Sequence, residues 1–96
     1  MNEDGMPDFE ELGEFFKTLG EPSRLRILHS IKDGGKCVRC ICEDVGMNIS
    51  AVSHQLRVLK DRNLVSARRD GKNVIYSISD HHVHDIMTMA MEHMVE

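Results

Sequence analysis

A mainly helical chain carrying one small β-hairpin is what this sequence predicts, and three observations lead there. Apolar residues recur at three- and four-residue spacing over most of the chain, the signature of amphipathic helices. Two short helical patterns meet at a turn that contains Gly46, which is how a helix-turn-helix is written in sequence. Between Leu64 and Ile78 the period changes to two, with apolar and polar residues alternating on either side of Asp70-Gly71, a dipeptide favoured in tight hairpin turns.

The elements follow in order. After Pro7, the stripe Phe9, Leu12, Phe15, Phe16 and Leu19 makes a first helix that Gly20 ends, and residues 1–6 are expected to be disordered. Pro22 opens a second helix through Leu25, Ile27, Leu28 and Ile31, stopped by Gly34-Gly35. Lys36 to Val45 forms a short third helix closed by Gly46. Asn48 to Ser50 then cap a fourth, which runs through Val52, Leu56 and Leu59 to about Arg62. Leu64–Ala67 and Val74–Ile78 are the strands of the wing. A last helix, from Asp80 or His81 to the C-terminus, places Val83, Ile86, Met87, Ala90, Met91 and Met94 on one stripe, the expected seam of a dimer. The whole reads as one winged helix-turn-helix domain over residues 1–96, dimeric through its terminal helices.

Size and composition narrow the function. With 96 residues the chain makes one domain and has no room for a large enzyme fold. Hydrophobic residues are 41% and charged ones 29%, which excludes disordered and fibrous classes, and three Phe, one Tyr and no Trp require an aliphatic, Met-rich core. No apolar run suits a membrane span, and Met1–Glu14 holds six acidic residues and no base, the reverse of a targeting peptide, so a cytoplasmic protein is expected. Three cysteines, Cys37, Cys40 and Cys42, lie within six residues, a crowding that suits thiol or metal chemistry better than a disulfide framework.

The net charge of -4 conceals an asymmetry. Ser50 to Asn73 carries six bases against two acids, a local +4, whereas the remaining chain sums to -8. This cationic stretch is the fourth helix plus the hairpin, and it reads either as a solvated face or as a surface for a polyanion. The helix-turn-helix favours the second, with double-stranded operator DNA as the partner. Ser50, Ser53, His54 and Gln55 near the helix start reach base edges, with Gln suited to adenine, while Arg57, Lys60, Arg68, Arg69 and Lys72 contact phosphates.

Ser50-Ala51-Val52-Ser53-His54-Gln55-Leu56-Arg57-Val58-Leu59, followed by Asn63-Leu64-Val65, resembles the recognition helix of the ArsR/SmtB family of metal-responsive repressors. Phe16–Gly20, Pro22–Leu28 and the wing from Arg69 to Tyr76 extend the resemblance, which covers Phe9 to Glu96. It implies a homodimeric repressor that holds operator DNA when metal-free and releases it when a metal effector binds. It also implies a relay from the histidine at position 93 to the recognition helix near His54.

The last helix carries Asp80, His82, His93 and Glu96, all suited to first-row metals. His82 and His93 share an azimuth but lie roughly 16 Å apart along the axis, so one ion cannot join them within one chain. Antiparallel packing of two such helices would bring the Asp80/His82 end of one to the His93/Glu96 end of the other, giving two equivalent N2O2 sites. The pattern is similar to the site of the family's zinc sensors; zinc is the expected ion, with cobalt, cadmium or lead as substitutes. His81, His84, Asp85 and Glu92 rank below these four.

In the same family a Cys-Val-Cys motif opens the third helix and binds soft ions. Here Cys37 matches its first cysteine, Arg39 replaces the second, Cys42 falls where some arsenic sensors place a third, and Cys40 takes an acidic position. Three readings of the cluster stand: structural thiols, a second thiolate site for As(III), cadmium or lead, and a redox switch. Either of the last two would make the chain a soft-metal or thiol-redox sensing repressor instead. An oxidoreductase built on Cys37-x-x-Cys40 lacks its usual βαβ setting, and no enzyme activity is expected.

Overall fold

The computed structural model describes residues 5–96. The disorder expected over residues 1–6 falls, for residues 1–4, outside the described residues, and Gly5 to Asp8 lead into the first helix without regular structure. The order is α1 (Phe9–Leu19), α2 (Pro22–Ile31), α3 (Val38–Val45), α4 (Ile49–Asp61), β1 (Val65–Asp70), β2 (Asn73–Ile78) and α5 (His81–Val95).

Local chemistry sets these boundaries. The Asp8 carboxylate caps α1 by accepting from the Glu10 N–H at 2.9 Å. Glu21 does the same for α2, accepting from Ser23 and Arg24, with Pro22 in the first turn where its missing N–H costs nothing. Asn48 caps α4 through the Ala51 N–H at 2.8 Å. The far end of α4 closes on Asn63, which sits at φ 61° so that its N–H reaches Lys60 O and the Leu64 N–H reaches Leu59 O. That pair of bonds is a Schellman motif, with Asn in the left-handed position usually held by Gly.

Two expectations shift. α3 begins at Val38 rather than Lys36, because Lys36 is drawn into a β-bridge with Tyr76 in which each residue's N–H donates to the other's carbonyl, at 3.0 and 2.9 Å. Gly35 permits that approach: a Cβ there would lie 2.5 Å from Ile75 Cγ2 and 2.6 Å from Ser77 Oγ. In the hairpin, Asp70 pairs with Asn73, so the two turn residues are Gly71 and Lys72 rather than Asp70 and Gly71. Gly71 has φ 64° and Lys72 stays at negative φ, the pattern of a turn with Gly in its first central position.

The core gathers one face of every element. Ile27, Leu28 and Ile31 of α2 meet Ile41 of α3 and Val52, Leu56 and Leu59 of α4, and Leu64, Val65, Val83 and Met87 close the lower side. The fully buried positions are aliphatic, as the composition requires, and Phe15 and Tyr76 pack at the margin. Truncating a residue such as Ile41 or Leu56 to Ala would cost about 2–5 kcal/mol. No helix among the described residues is long and apolar enough to cross a membrane.

Candidate functional site

α3, the turn at Gly46–Asn48 and α4 form the helix-turn-helix, held at a fixed angle because Ile41 and the Val52/Leu56/Leu59 stripe share the core. With one stripe of α4 buried, the 100° step per residue turns Ser50, Ser53, His54 and Arg57 to the opposite side, where all four are exposed. Lys60 lies at the edge of this face, also exposed. Gln55 falls off it. Its side chain is part-buried and its Oε1 accepts from Arg24 Nε at 2.9 Å, while Arg24 Nη1 reaches Thr18 O at 3.4 Å. The amide oxygen expected to pair with adenine is thus engaged by an arginine of α2, which ties the end of α1 to α4. Arg24 escaped sequence reasoning because its partner lies 31 residues away on another helix.

The wing presents its basic residues as its pairing dictates. Arg68 and Arg69 oppose Ile75 and Val74, so their side chains leave opposite faces of the ribbon near its tip, and Lys72 sits in the turn itself. All three are exposed. With Arg57 and Lys60 of α4 they are exposed bases of the helix-turn-helix and wing segment.

On α5, Asp80 is the N-cap: its Oδ1 accepts from the N–H groups of His82 (2.9 Å) and Val83 (3.3 Å). The same oxygen stands 3.4 Å from His82 Nδ1, so these two expected ligands are already neighbours, and the second carboxylate oxygen is left for an ion. His93 and Glu96 occupy the other end of the helix, both exposed. Among the described residues of one chain, no three His, Cys, Asp or Glu side chains stand close enough to hold a metal ion. Two imidazoles and two carboxylates suit a tetrahedral divalent ion in type and number, but the fit requires a second chain. His84 is directed elsewhere, 3.7 Å from Asp33 and 3.5 Å from Asp85. His81 stacks on His82 with ring centres 4.1 Å apart.

The apolar stripe of α5 divides in two. Val83 and Met87 belong to the chain's own core at 4% and 6% exposure, and Ile86 packs against them, so this half is not free to act as the expected seam. Beyond it, Ala90, Met91 and Met94 border an open groove of about 300 Å³ whose other wall is Leu25, Arg26 and His29 of α2. Met94 is 82% exposed, and on α1 Phe9 is 65% exposed and Phe16 53%. Both terminal helices therefore carry uncovered apolar surface.

The cysteines separate as well. Cys37 is the N-cap of α3 and its Sγ is 3.4 Å from that of Cys40, whereas Cys42 packs against the hydrophobic core. The Cys40 N–H and the Cys40 thiol, with a smaller contribution from the Arg39 N–H, hold the Cys37 thiol below its ordinary value.

Residues 21–67 match the family described as bacterial regulatory protein, arsR family. The transcriptional repressor SmtB homolog of Synechocystis is 39% identical over 87 residues, which is 91% of this chain and 66% of that protein, so the chain spans about two thirds of that relative's length. The HTH-type transcriptional regulator Rv0081 of Mycobacterium tuberculosis is 39% identical over 85 residues, 88% of this chain and 75% of that one. Its crystal structure superposes with a TM-score of 0.84 over 94% of this chain and 91% of that one. The homodimeric winged helix-turn-helix DNA-binding domain of Mb0332 from Mycobacterium bovis gives a TM-score of 0.80 at 29% identity, covering 91% and 85%. These relatives are regulators of transcription and not enzymes, and their likeness extends from α1 to α5; the chain belongs to the ArsR/SmtB family of transcriptional regulators.

Proposed function

We propose that residues 1–96 act as the single DNA-binding domain of a cytoplasmic, homodimeric, metal-responsive repressor. In this reading the metal-free dimer holds double-stranded operator DNA and lets it go when zinc, or a divalent ion of similar preference, is taken up between the two α5 helices. The observation that carries the reading is the layout of α5: Asp80 and His82 paired at one end, His93 and Glu96 at the other, and the uncovered Ala90, Met91 and Met94 near the latter.

A second copy packed antiparallel on that uncovered strip would place Asp80 and His82 of one chain beside His93 and Glu96 of the other. The bound ion would supply a crosslink that favours one dimer geometry over the rest. The chain's own residues carry the consequence to DNA. Val83 and Met87 root α5 in the core, and α5 packs on β2, so a change in the angle between two α5 helices moves the wing and the core that seats α4. Ser50, Ser53 and His54 would meet base edges in the major groove, with Arg57 beside them on a phosphate. Lys60, Arg68, Arg69 and Lys72 would neutralise phosphates, and Gln55 would position Arg24 rather than read a base.

Cobalt(II) titration of the reduced protein tests the metal site. Intense visible bands of a tetrahedral ion, without an ultraviolet thiolate band and saturating near about one ion per subunit, are expected. A strong thiolate band at the first equivalent would move the primary site to Cys37, Cys40 and Cys42.

A further inference from the structure

The repressor reading leaves one constellation unused, the thiol pair at the start of α3. Cys37 stands outside the helix with extended backbone (φ -77°, ψ 165°), and Cys40 is the third helical residue. Their sulfurs are 3.4 Å apart, Cys37 half-buried and Cys40 exposed. The backbone on the N-terminal side of Cys37 is fixed, since Lys36 is bridged to Tyr76 and its ammonium is paired with Asp44. Because Cys37 is the cap and not an interior residue, the pair is free of the wider spacing imposed on side chains three apart within a helix. The sulfurs already stand within van der Waals contact, at 3.4 Å, on side chains that leave the start of one helix together.

We propose that Cys37 and Cys40 form a thiol–disulfide exchange site for low-molecular-weight disulfides, in which Cys37 attacks and Cys40 resolves. The Cys37 thiolate attacks one sulfur of the small disulfide; a bond from Cys37 Sγ to that sulfur forms, the small disulfide's own bond breaks, and one thiolate leaves and takes a proton from water. Cys40 then gives its proton to solvent and attacks Cys37 Sγ, forming the internal disulfide and expelling the second small thiolate, which is protonated in turn. The protein dithiol is oxidised by two electrons and the small disulfide is reduced to two thiols.

The environment matches these roles. N–H groups of Cys40 and Arg39 and the Cys40 thiol all favour a thiolate on Cys37. Cys40 keeps its proton because it donates to Cys37, with the Cys37 charge as the next cause. Once Cys37 is held in a mixed disulfide that hydrogen bond and that charge are gone, and of the causes that hold the Cys40 proton only burial and the Glu43 carboxylate remain. Cys42, packed on the core one residue beyond Ile41, takes no part.

The test uses the full chain, reduced and kept metal-free with a chelator, exposed to oxidised glutathione and quenched in acid. Trypsin cleaves after Lys36, Arg39 and Arg57, which separates Cys37 from Cys40 and Cys42. Expected is a wild-type mass lower by about two hydrogens, with fragment 37–39 linked to fragment 40–57, and the same product from Cys42→Ser. Cys40→Ser should stop with glutathione retained on Cys37. The proposal is overturned by a Cys37 fragment recovered as free thiol while Cys40 or Cys42 carries glutathione. It is equally overturned by a Cys40→Ser chain that sheds glutathione as fast as wild type.

Discussion

At the scale of single residues, Gln55 and Arg24 separate what a helical pattern can assign from what packing decides. Ser50, Ser53 and His54 were legible as base-edge candidates near the start of α4, and the structure leaves all three exposed opposite its buried stripe. Gln55 was read the same way, but its oxygen answers a guanidinium brought from α2 by the fold. Gln55→Ala is therefore expected to lower stability by about 1–2 kcal/mol in thermal unfolding and to leave the order of operator preferences unchanged in a selection from randomised sites. Relaxed discrimination at one base position would instead identify a base reader. Asp44 supplies a test in pH. Lys36, and after it Ser30, hold its carboxyl below the ordinary 3.8. A folded-state value below the unfolded one contributes stability at higher pH, and that contribution is lost as the pH falls through the ordinary value to the depressed one. The difference in thermal midpoint between wild type and Asp44→Asn should be open near pH 7 and close in acid; a constant difference down to about pH 3 would contradict the pairing.

Among elements, the wing and α3 prove to be one mechanical piece. The sequence announces the hairpin through its two-residue alternation and announces α4 through Asn48 and the Leu56/Leu59 stripe. It does not announce the Lys36–Tyr76 bridge, because one rung of β-pairing leaves no periodic trace and Gly34-Gly35 looks like any helix stop. The shift of the turn by one residue has a similar origin: Asp70-Gly71 signals a turn, and only the register shows which pair occupies its centre. The bridge predicts a contrast between adjacent glycines. Gly35→Ala must push against Ile75 and Ser77 and should cost about 1–3 kcal/mol, measured by denaturant unfolding. Gly34→Ala meets nothing within 4 Å and should change stability by less than about 0.5 kcal/mol. Equal effects at the two positions would remove the bridge as a structural restraint.

For the whole molecule, α5 joins three functions along one helix: its first half is core, its second half is uncovered surface, and its ends hold the proposed ligands. The donor residues were legible as types at a spacing too long for one chain, and the structure keeps His82 and His93 at opposite ends of α5. The division of the apolar stripe was not legible, because Val83 and Met87 look the same in sequence as Met91 and Met94 until the fold takes the first two into its core. A repressor whose metal and operator sites are linked in this way must couple them reciprocally, and couplings of about 1–3 kcal/mol correspond to roughly 5- to 150-fold in affinity. Operator affinity measured by fluorescence anisotropy, with zinc and with chelator, in wild type and His93→Gln, tests this most directly. Zinc should weaken wild-type binding by a factor in that range, while His93→Gln binds the operator as wild type does and no longer responds to zinc. Zinc-driven release that persists undiminished in His93→Gln would contradict both the α5 site and its link to DNA.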